Sequence, residues 1–330
     1  MTEQSKINKD TAKRASLLER ADRVFGLDNL GPAKVPTNLP KPSRPQVKPQ
    51  PAQAQPAPPA ARIPTGMQAP VEVAPQVAPE PEPEPAVSLS GPYQDIERWN
   101  LQDAGLIVPE NPVTALLEEF RIVKRDIIAD ARVRRDAKQR RILVCSPHQG
   151  EGKTYCAINL AIALAAERDA EVLLVDADVI RPSVAKRLGI EAGRGLMDAL
   201  ANPSLRPEKL AIKTDIEGLF ILPAGTTSAN DSELLASEHT GEILDRLTRG
   251  APNRYVIFDT PPALAASAAA ELAAHVGQTV LVVRADETSR AALEDAQQLL
   301  SACPNIKLLL NATHFSPSGR RFGDYGESEE

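Results

Sequence analysis

The sequence of 330 residues has few aromatic side chains, few cysteines and no long apolar run. The three cysteines are an odd number without metal-ligand spacing, which favours reduced, mostly buried thiols over a disulfide framework or a zinc site. Because no stretch of about 18 uninterrupted apolar residues occurs and the N-terminus is polar, we expect neither a membrane span nor a secretory signal. The predicted location is therefore the cytoplasm.

The chain also lacks an excess of positive charge. Its formal net charge is −6 and its pI is about 5.5, which argues against nucleic acid as the main partner. One strongly basic stretch, residues 132–141, is typical of a solvated helix end, where cations are favourable. No nucleic acid partner is predicted.

Proline, by contrast, is abundant and unevenly distributed, with 18 of the 30 prolines between Pro32 and Pro92. Few large apolar side chains lie among them, so this stretch cannot bury enough surface to offset the entropy of ordering. We predict a disordered linker over residues 31–95 with polyproline character. Residues 1–30 contain apolar side chains spaced for one face of a short helix, which is marginal on its own.

Beyond residue 113, short apolar runs alternate with helical patterns. The predicted strands are RILVCS, EVLLVDAD, GLFILPAG, RYVIFDTPP, TVLVVRA and KLLLNAT. The predicted helices cover residues 116–135, 154–168, 232–249, 265–274 and 289–302. Unbroken apolar strands separated by helices are typical of a parallel sheet covered on both faces. We therefore predict one three-layer α/β domain with a mostly parallel sheet over residues 113–315, followed by a tail, 316–330.

A glycine-rich stretch, SPHQGEGKTY, follows the first of these strands and opens a helix. Gly150 and Gly152 allow the backbone N–H groups to turn around phosphate oxygens, and the helix N-terminus favours the same anion. Lys153 would reach the β- and γ-phosphates, and Thr154 would ligate Mg²⁺. The usual first glycine is replaced by Pro147. The predicted nucleotide-binding residues in this stretch are Gly150, Glu151, Gly152, Lys153, Thr154 and Tyr155.

Two further strands end in carboxylates. Asp176 and Asp178 follow one strand, and Asp259 ends another. Ligands of an open parallel sheet bind at the carboxyl ends of its strands, and Mg²⁺ prefers hard oxygen ligands. Each aspartate alone would also suit a helix N-cap, but their common position predicts a magnesium site beside the phosphate loop.

Three motifs together resemble those of one family. The stretches GEGKT, LLVDADVIRP and VIFDTPP look like the Walker A, A′ and B motifs of bacterial tyrosine autokinases of capsule and exopolysaccharide synthesis, of the CpsD/CapB type. The stretch ILPAGTTSANDSELLASE resembles in particular the exosortase (XrtA)-associated branch. The resemblance runs from about residue 113 to the C-terminus and implies a P-loop NTPase fold of the MinD/ParA-like kind.

That resemblance implies a protein-tyrosine autokinase that uses ATP and Mg²⁺. The residues it implies are Lys153, Asp176 and Asp178 for catalysis, Thr154, Asp176 and Asp259 for the metal, and Asn311 for the nucleotide. The partners it implies are a membrane polysaccharide co-polymerase that acts as activator, further copies of the chain in a ring, and a cognate tyrosine phosphatase. The co-polymerase would hold the chain at the inner face of the cell membrane.

The family's ring-forming motif, E-x-x-R-x-x-R, is matched by Glu118, Arg121 and Lys124, although i, i+3 pairs on an exposed helix would give the same pattern. In the A′ motif, Ile180 stands where the family commonly has arginine. The tail offers one tyrosine, Tyr325, as the predicted phosphate acceptor, where the family has a cluster.

Two other functions remain open from the sequence. A positioning ATPase of the ParA/MinD type shares the fold and the three motifs, but that group carries a second lysine in its loop where this chain has His148. An ATP-gated scaffold with weak kinase activity would control polymer export by assembling and dispersing.

Overall fold

An eight-stranded sheet organises the part of the chain that this computed structural model describes, residues 85–134 and 136–313. All of these residues belong to one compact unit. The predicted N-terminal helix, the linker as far as residue 84, and the tail with Tyr325 lie outside the described residues.

The strands are β1 (Tyr93–Gln94), β2 (Arg141–Cys145), β3 (Glu171–Asp176), β4 (Ile212–Thr214), β5 (Leu219–Leu222), β6 (Arg254–Asp259), β7 (Gln278–Arg284) and β8 (Ile306–Asn311). Their order in the sheet is β1-β4-β5-β3-β6-β2-β7-β8, and every pair is parallel except β4 with β5. The predicted α/β class with a mostly parallel sheet is confirmed. All six predicted strands are present.

The helices are α1 (Arg98–Asp103), α2 (Ala115–Arg134), α3 (Lys153–Ala165), α4 (Val184–Leu188), α5 (Leu196–Ala201), α6 (Pro207–Leu210), α7 (Asp231–Leu235), α8 (Glu238–Thr248), α9 (Ala268–Ala273) and α10 (Arg290–Leu299). A 3₁₀ turn (Ala137–Arg140) precedes β2. The single helix predicted over 232–249 is wrong, because Ser237 has an extended backbone and divides the region into α7 and α8.

The core lies on both faces of the sheet, because successive residues of a strand point to opposite sides. Ile142 and Val144 of β2 join one cluster with side chains of α2 and α3, whereas Leu143 and Cys145 join the other with α5 and α8. β2 is buried along its whole length. Helix α3, which lies between the sheet and α2, is buried on nearly all sides.

The folded region begins before residue 113, the start predicted from the sequence. β1 pairs with β4 although it falls in the predicted linker, and Leu101 of α1 is fully buried. Asp215 accepts a hydrogen bond from the Ile96 N–H at 2.9 Å and pairs with Arg98 at 2.8 Å. The linker prediction therefore extends too far, because a two-residue strand leaves no apolar pattern to read.

Candidate active site

The glycine-rich loop connects the end of β2 to the start of α3 at the carboxyl edge of the sheet. Gly150 and Gly152 adopt φ angles of +85° and +94°, a region that side chains rarely allow. A β-carbon on Gly152 would also collide with the side-chain amide of Asn311. These two glycines therefore determine the path of the loop.

A pocket of about 530 Å³ opens beside this loop. The predicted residues that line it are Gly150, Gly152, Lys153, Thr154, Tyr155 and Asp178. The other predicted residues, Glu151, Asp176, Asp259 and Asn311, lie outside this lining. The structure thus brings the lysine, the hydroxyl and one A′ carboxylate together around one cavity.

Lys153 and Asp178 form an ion pair within the pocket. The distance from Lys153 Nζ to Asp178 Oδ2 is 2.7 Å, and both side chains are largely shielded from solvent. The second oxygen of Asp178 accepts the N–H of Arg181 at 3.0 Å. A phosphate bound at the loop would compete with Asp178 for the ammonium group, so binding of the phosphate would free this carboxylate.

Asp259 is buried under the loop at the end of β6. Its exposed fraction is 0%, and within the described residues neither carboxylate oxygen has a hydrogen-bond partner of ordinary geometry. Burial raises the pKa of Asp259 to about 7, against the opposing influence of the Lys153 ammonium group. A buried carboxylate without partners is costly, so this position suits a bound cation.

The donors near Asp259 fit a magnesium ion that shares its shell with phosphate. Across residues 85–134 and 136–313, no group of three or more His, Cys, Asp or Glu side chains could hold a metal ion alone. Mg²⁺ in phosphate sites is usually held by one or two carboxylates, with phosphate and water completing its shell. Asp259 and the Thr154 hydroxyl at the start of α3 are the donors that fit this pattern best.

Asp176 ends β3 directly beside Asp259 in the register of the sheet. Its Oδ2 accepts the N–H groups of Ser183 and Val184 at 2.8 and 2.9 Å, and its Oδ1 accepts that of Asp178 at 3.2 Å. Burial raises the pKa of Asp176 to about 6 despite these hydrogen bonds. Asp176 therefore holds the segment between β3 and α4, and its metal-binding role stays a prediction.

The side chain of Glu151 supports the loop without lining the pocket. Its carboxylate accepts the N–H of His148 at 2.7 Å and the hydroxyl of Thr288, which itself accepts the N–H of Arg284 at 2.9 Å. Glu151 is buried and does not line the pocket. Its predicted contact with nucleotide stays a prediction. Thr288, which the sequence did not single out, is tied to the loop through this carboxylate.

Asn311 and Tyr155 also connect the loop region to its surroundings. The Asn311 amide, at the end of β8, donates to the Glu151 carbonyl at 2.8 Å. The Tyr155 hydroxyl donates to the Gly105 carbonyl at 2.9 Å, so the first turn of α3 is joined to the loop after α1. Their roles toward the nucleotide stay predictions.

Helix α2 does not present the predicted ring-forming residues on one exposed face. Glu118 and Arg121 pair with each other, but Lys124 is 7% exposed, donates to the Ala163 carbonyl at 2.9 Å and pairs with Glu167 at 2.7 Å. The physical reason is that each step of three residues turns about 300°, which is about 60° short of a full helical turn. Over the two steps from Glu118 to Lys124 the shortfall adds up, so Lys124 lies about 120° around the helix from Glu118. Lys124 secures the C-terminal end of α3 within its own chain.

Two arginines of the pocket were not assigned a role from the sequence. Arg181 and Arg187 both line the cavity, together with Ile180. Arg187 lies on the five-residue helix α4. A helix of that length carries no pattern from which its pocket-facing side could be predicted.

A glycine loop between strand and helix, with a lysine and a hydroxyl at the start of that helix and carboxylates on neighbouring strand ends, is the arrangement of P-loop nucleotide-binding domains. The family model described as AAA domain matches residues 139–314. The chain belongs to this AAA domain family.

Individual relatives agree with the resemblance seen in the motifs. The tyrosine-protein kinase YwqD of Bacillus subtilis (strain 168) is 29% identical over 70% of this chain and 95% of its own length. The tyrosine-protein kinase wzc of Salmonella typhi is 38% identical over 40% of this chain but only 18% of its own length. The crystal structure of the chimerical protein CapA2B2 is 25% identical, with a TM-score of 0.53, over 68% of this chain and 94% of that one. The predicted resemblance to bacterial tyrosine autokinases is confirmed.

No helix among the described residues is both long and apolar enough to cross a membrane.

Proposed function

We propose that the chain is an ATP-dependent protein-tyrosine autokinase that regulates the polymerisation or export of an exopolysaccharide. The observation that carries this proposal is the 2.7 Å ion pair between Lys153 and Asp178, which joins the phosphate loop to the A′ carboxylate in one pocket. A donor phosphate that engages Lys153 lies next to a carboxylate able to accept a proton. The similarity to proteins named tyrosine-protein kinases supports the same reaction.

In the proposed reaction, the loop N–H groups and Lys153 position the triphosphate of ATP, and positioning supplies most of the catalysis in phosphoryl transfer. Thr154 and Asp259 would hold Mg²⁺, with Asp176 as a further candidate, and the ion would neutralise phosphate charge. The tyrosine oxygen attacks the γ-phosphorus while the bond to the bridging β,γ-oxygen breaks and ADP leaves. Asp178, once released from Lys153, takes the tyrosine proton.

We propose Tyr325 as the acceptor, with transfer between copies of the chain. The surroundings of the other tyrosines support this choice. Tyr155 is held by the Gly105 carbonyl, Tyr255 is buried in β6, and Tyr93 lies on β1 at the far edge of the sheet from β2. Glycines at 323 and 326 flank Tyr325 closely in the sequence.

The proposed partners follow from the resemblance. A membrane co-polymerase would activate the chain and hold it at the inner face of the membrane, a cognate tyrosine phosphatase would reverse the modification, and copies would assemble as a ring. Glu118 and Arg121 remain candidates for the ring contact, because both are partly exposed. Lys124 is not proposed for this contact.

The test uses full-length protein purified from its native host, so that an activating partner has been present. Incubation with γ-labelled ATP should place label on tyrosine in the wild type, and Lys153→Ala should remove both the label and the binding of ATP measured by calorimetry. Lys186→Ala, which changes an exposed cation outside the pocket lining, is the matched control. ATP hydrolysis without phosphotyrosine would favour the positioning ATPase, and nucleotide-dependent assembly without either reaction would favour the scaffold.

A further inference from the structure

Two arginines in the wall of the pocket have no structural task for their side chains. Arg181 and Arg187 are exposed, and within the described residues neither guanidinium forms an ion pair or a hydrogen bond. Some exposed or half-exposed arginines elsewhere, such as Arg98, Arg284 and Arg290, are instead occupied by a carboxylate of their own chain. Free guanidinium groups in a pocket wall are available to a ligand.

The backbone that carries these arginines is firmly held. The buried Asp176 accepts the N–H groups of Ser183 and Val184, between the two arginines in the sequence. The N–H of Arg181 donates to Asp178, and that of Arg187 donates to the Ser183 carbonyl at 3.0 Å. The positions from which the two guanidinium groups extend are therefore fixed relative to Lys153.

The charge of the pocket favours an anionic ligand. Its charged lining residues are Lys153, Asp178, Arg181 and Arg187. Because Lys153 and Asp178 neutralise each other, the two arginines leave a net positive wall at the opening. Complementary charge of this kind selects partners and accelerates their encounter.

The same lining offers an apolar surface. Ile180 is 56% exposed, and Pro262 and Ala265 also border the cavity. An aromatic ring could pack on these side chains while carboxylates beside it reach the guanidinium groups. The sequence around Tyr325, FGDYGESEE, has this combination, with Asp324 immediately before the tyrosine and glutamates at 327, 329 and 330.

We propose that Arg181 and Arg187 are specificity-determining residues that recognise acidic side chains next to the acceptor tyrosine of a second copy of this chain. The inference rests on the proposed kinase function. It assigns the two arginines to the acceptor and not to the phosphates of ATP. Charge-assisted hydrogen bonds between guanidinium and carboxylate groups provide the discrimination.

The test measures binding and phosphorylation of two peptides separately. One is residues 322–330, and its neutral twin carries Asp324→Asn, Glu327→Gln, Glu329→Gln and Glu330→Gln. The full-length kinase carries the same four substitutions as the neutral peptide together with Tyr325→Phe, so that its own tail does not compete with the peptides for the pocket. Fluorescence anisotropy in the presence of a non-hydrolysable ATP analogue gives the Kd values, and labelled ATP gives the phosphotyrosine yield and the KM for ATP.

We expect the acidic peptide to bind about tenfold more tightly than its twin. Arg181→Gln with Arg187→Gln should abolish this preference and leave the KM for ATP within about twofold, whereas Lys186→Gln on the same helix should retain it. Equal binding of both peptides to the parent protein, or a raised KM for ATP with the preference intact, would overturn the proposal. A binding preference without phosphotyrosine on either peptide would contradict the kinase function alone.

Discussion

Asp176 and Asp259 end neighbouring strands at matching positions of the sheet, yet their carboxylates have opposite surroundings. Three backbone N–H groups donate to Asp176, whereas neither oxygen of Asp259 has a partner of ordinary geometry within the described residues. The same residue type in the same place therefore serves two purposes. Asp176 maintains the shape of the site, and Asp259 is the carboxylate that we propose to hold a cation.

The largest expected effect comes from removing the charge of Asp259. Asp259→Asn keeps the volume but loses the proposed cation ligand, so we expect phosphorylation to fall by about a thousandfold, as losses of central electrostatic contacts do. The rate of phosphotyrosine formation at saturating Mg²⁺ measures this loss. Stability measured by urea unfolding should stay equal or rise, because a buried charge is removed. A substantial loss of stability would show that the carboxylate has partners after all.

For substitutions of Asp176 we expect the opposite effect on stability. Asp176→Ala leaves three N–H groups without their charged acceptor, and we expect a loss of about 3 kcal/mol in the free energy of unfolding. Asp176→Asn retains one carbonyl acceptor and should cost about half as much. Urea denaturation of both variants measures these losses, and the slope of the free energy of unfolding against urea concentration should be unchanged. If the alanine variant were as stable as the wild type, Asp176 would have no structural role.

The pH dependence of stability should sharpen the contrast further. The pKa of Asp259 is about 7 in the folded chain against about 4 in an unfolded one, so the folded state binds the proton more tightly and this contribution to stability is lost as pH rises between those values. In metal-free buffer, the free energy of unfolding of Asp259→Asn should therefore rise by roughly 2 kcal/mol relative to that of the wild type as the pH is raised from 5 to 7.5. Paired urea titrations at both pH values test the sign. A constant difference between the two proteins would contradict it.

The smallest expected effect concerns the hydrogen bond from Thr288 to Glu151 that supports the loop. Thr288→Val keeps the shape of the side chain but removes the hydroxyl that donates to Glu151, so that one of the two carboxylate oxygens loses its partner while the other still accepts the N–H of His148. We expect a loss of about 1 kcal/mol in stability and a raised Kd for ATP. Calorimetry together with urea unfolding measures both. Thr288→Ser, which keeps the hydroxyl, should restore ATP binding, and failure to do so would point to packing as the cause.

The sequence predicted the features that depend on local pattern. Buried parallel strands are unbroken apolar runs, so β2, β3 and β5 to β8 were visible, and a glycine loop between strand and helix has its own spacing. β1 and β4 are two and three residues long and carry no such pattern. The boundary of the folded region was misplaced for the same reason.

The contacts that the sequence did not reveal depend on residues far apart in the chain. Glu151 and Thr288 are separated by 137 positions, so nothing local indicates that their side chains meet. Lys124 matched a surface motif by spacing, but its direction is decided by the packing of α2 on α3. Arg187 had no signal, because its importance comes only from the cavity that α4 borders.

The hydrogen bond from Asn311 to the Glu151 carbonyl spans 160 positions and has a consequence for biosynthesis. A chain emerging from the ribosome produces its phosphate loop early, but the side chains that support the loop are translated later, since Thr288 follows β7 and Asn311 ends β8. A nascent or truncated chain that ends before Thr288 has the glycines and the lysine without either support. Completion of the supported phosphate loop thus coincides with completion of β8, the last strand of the described sheet.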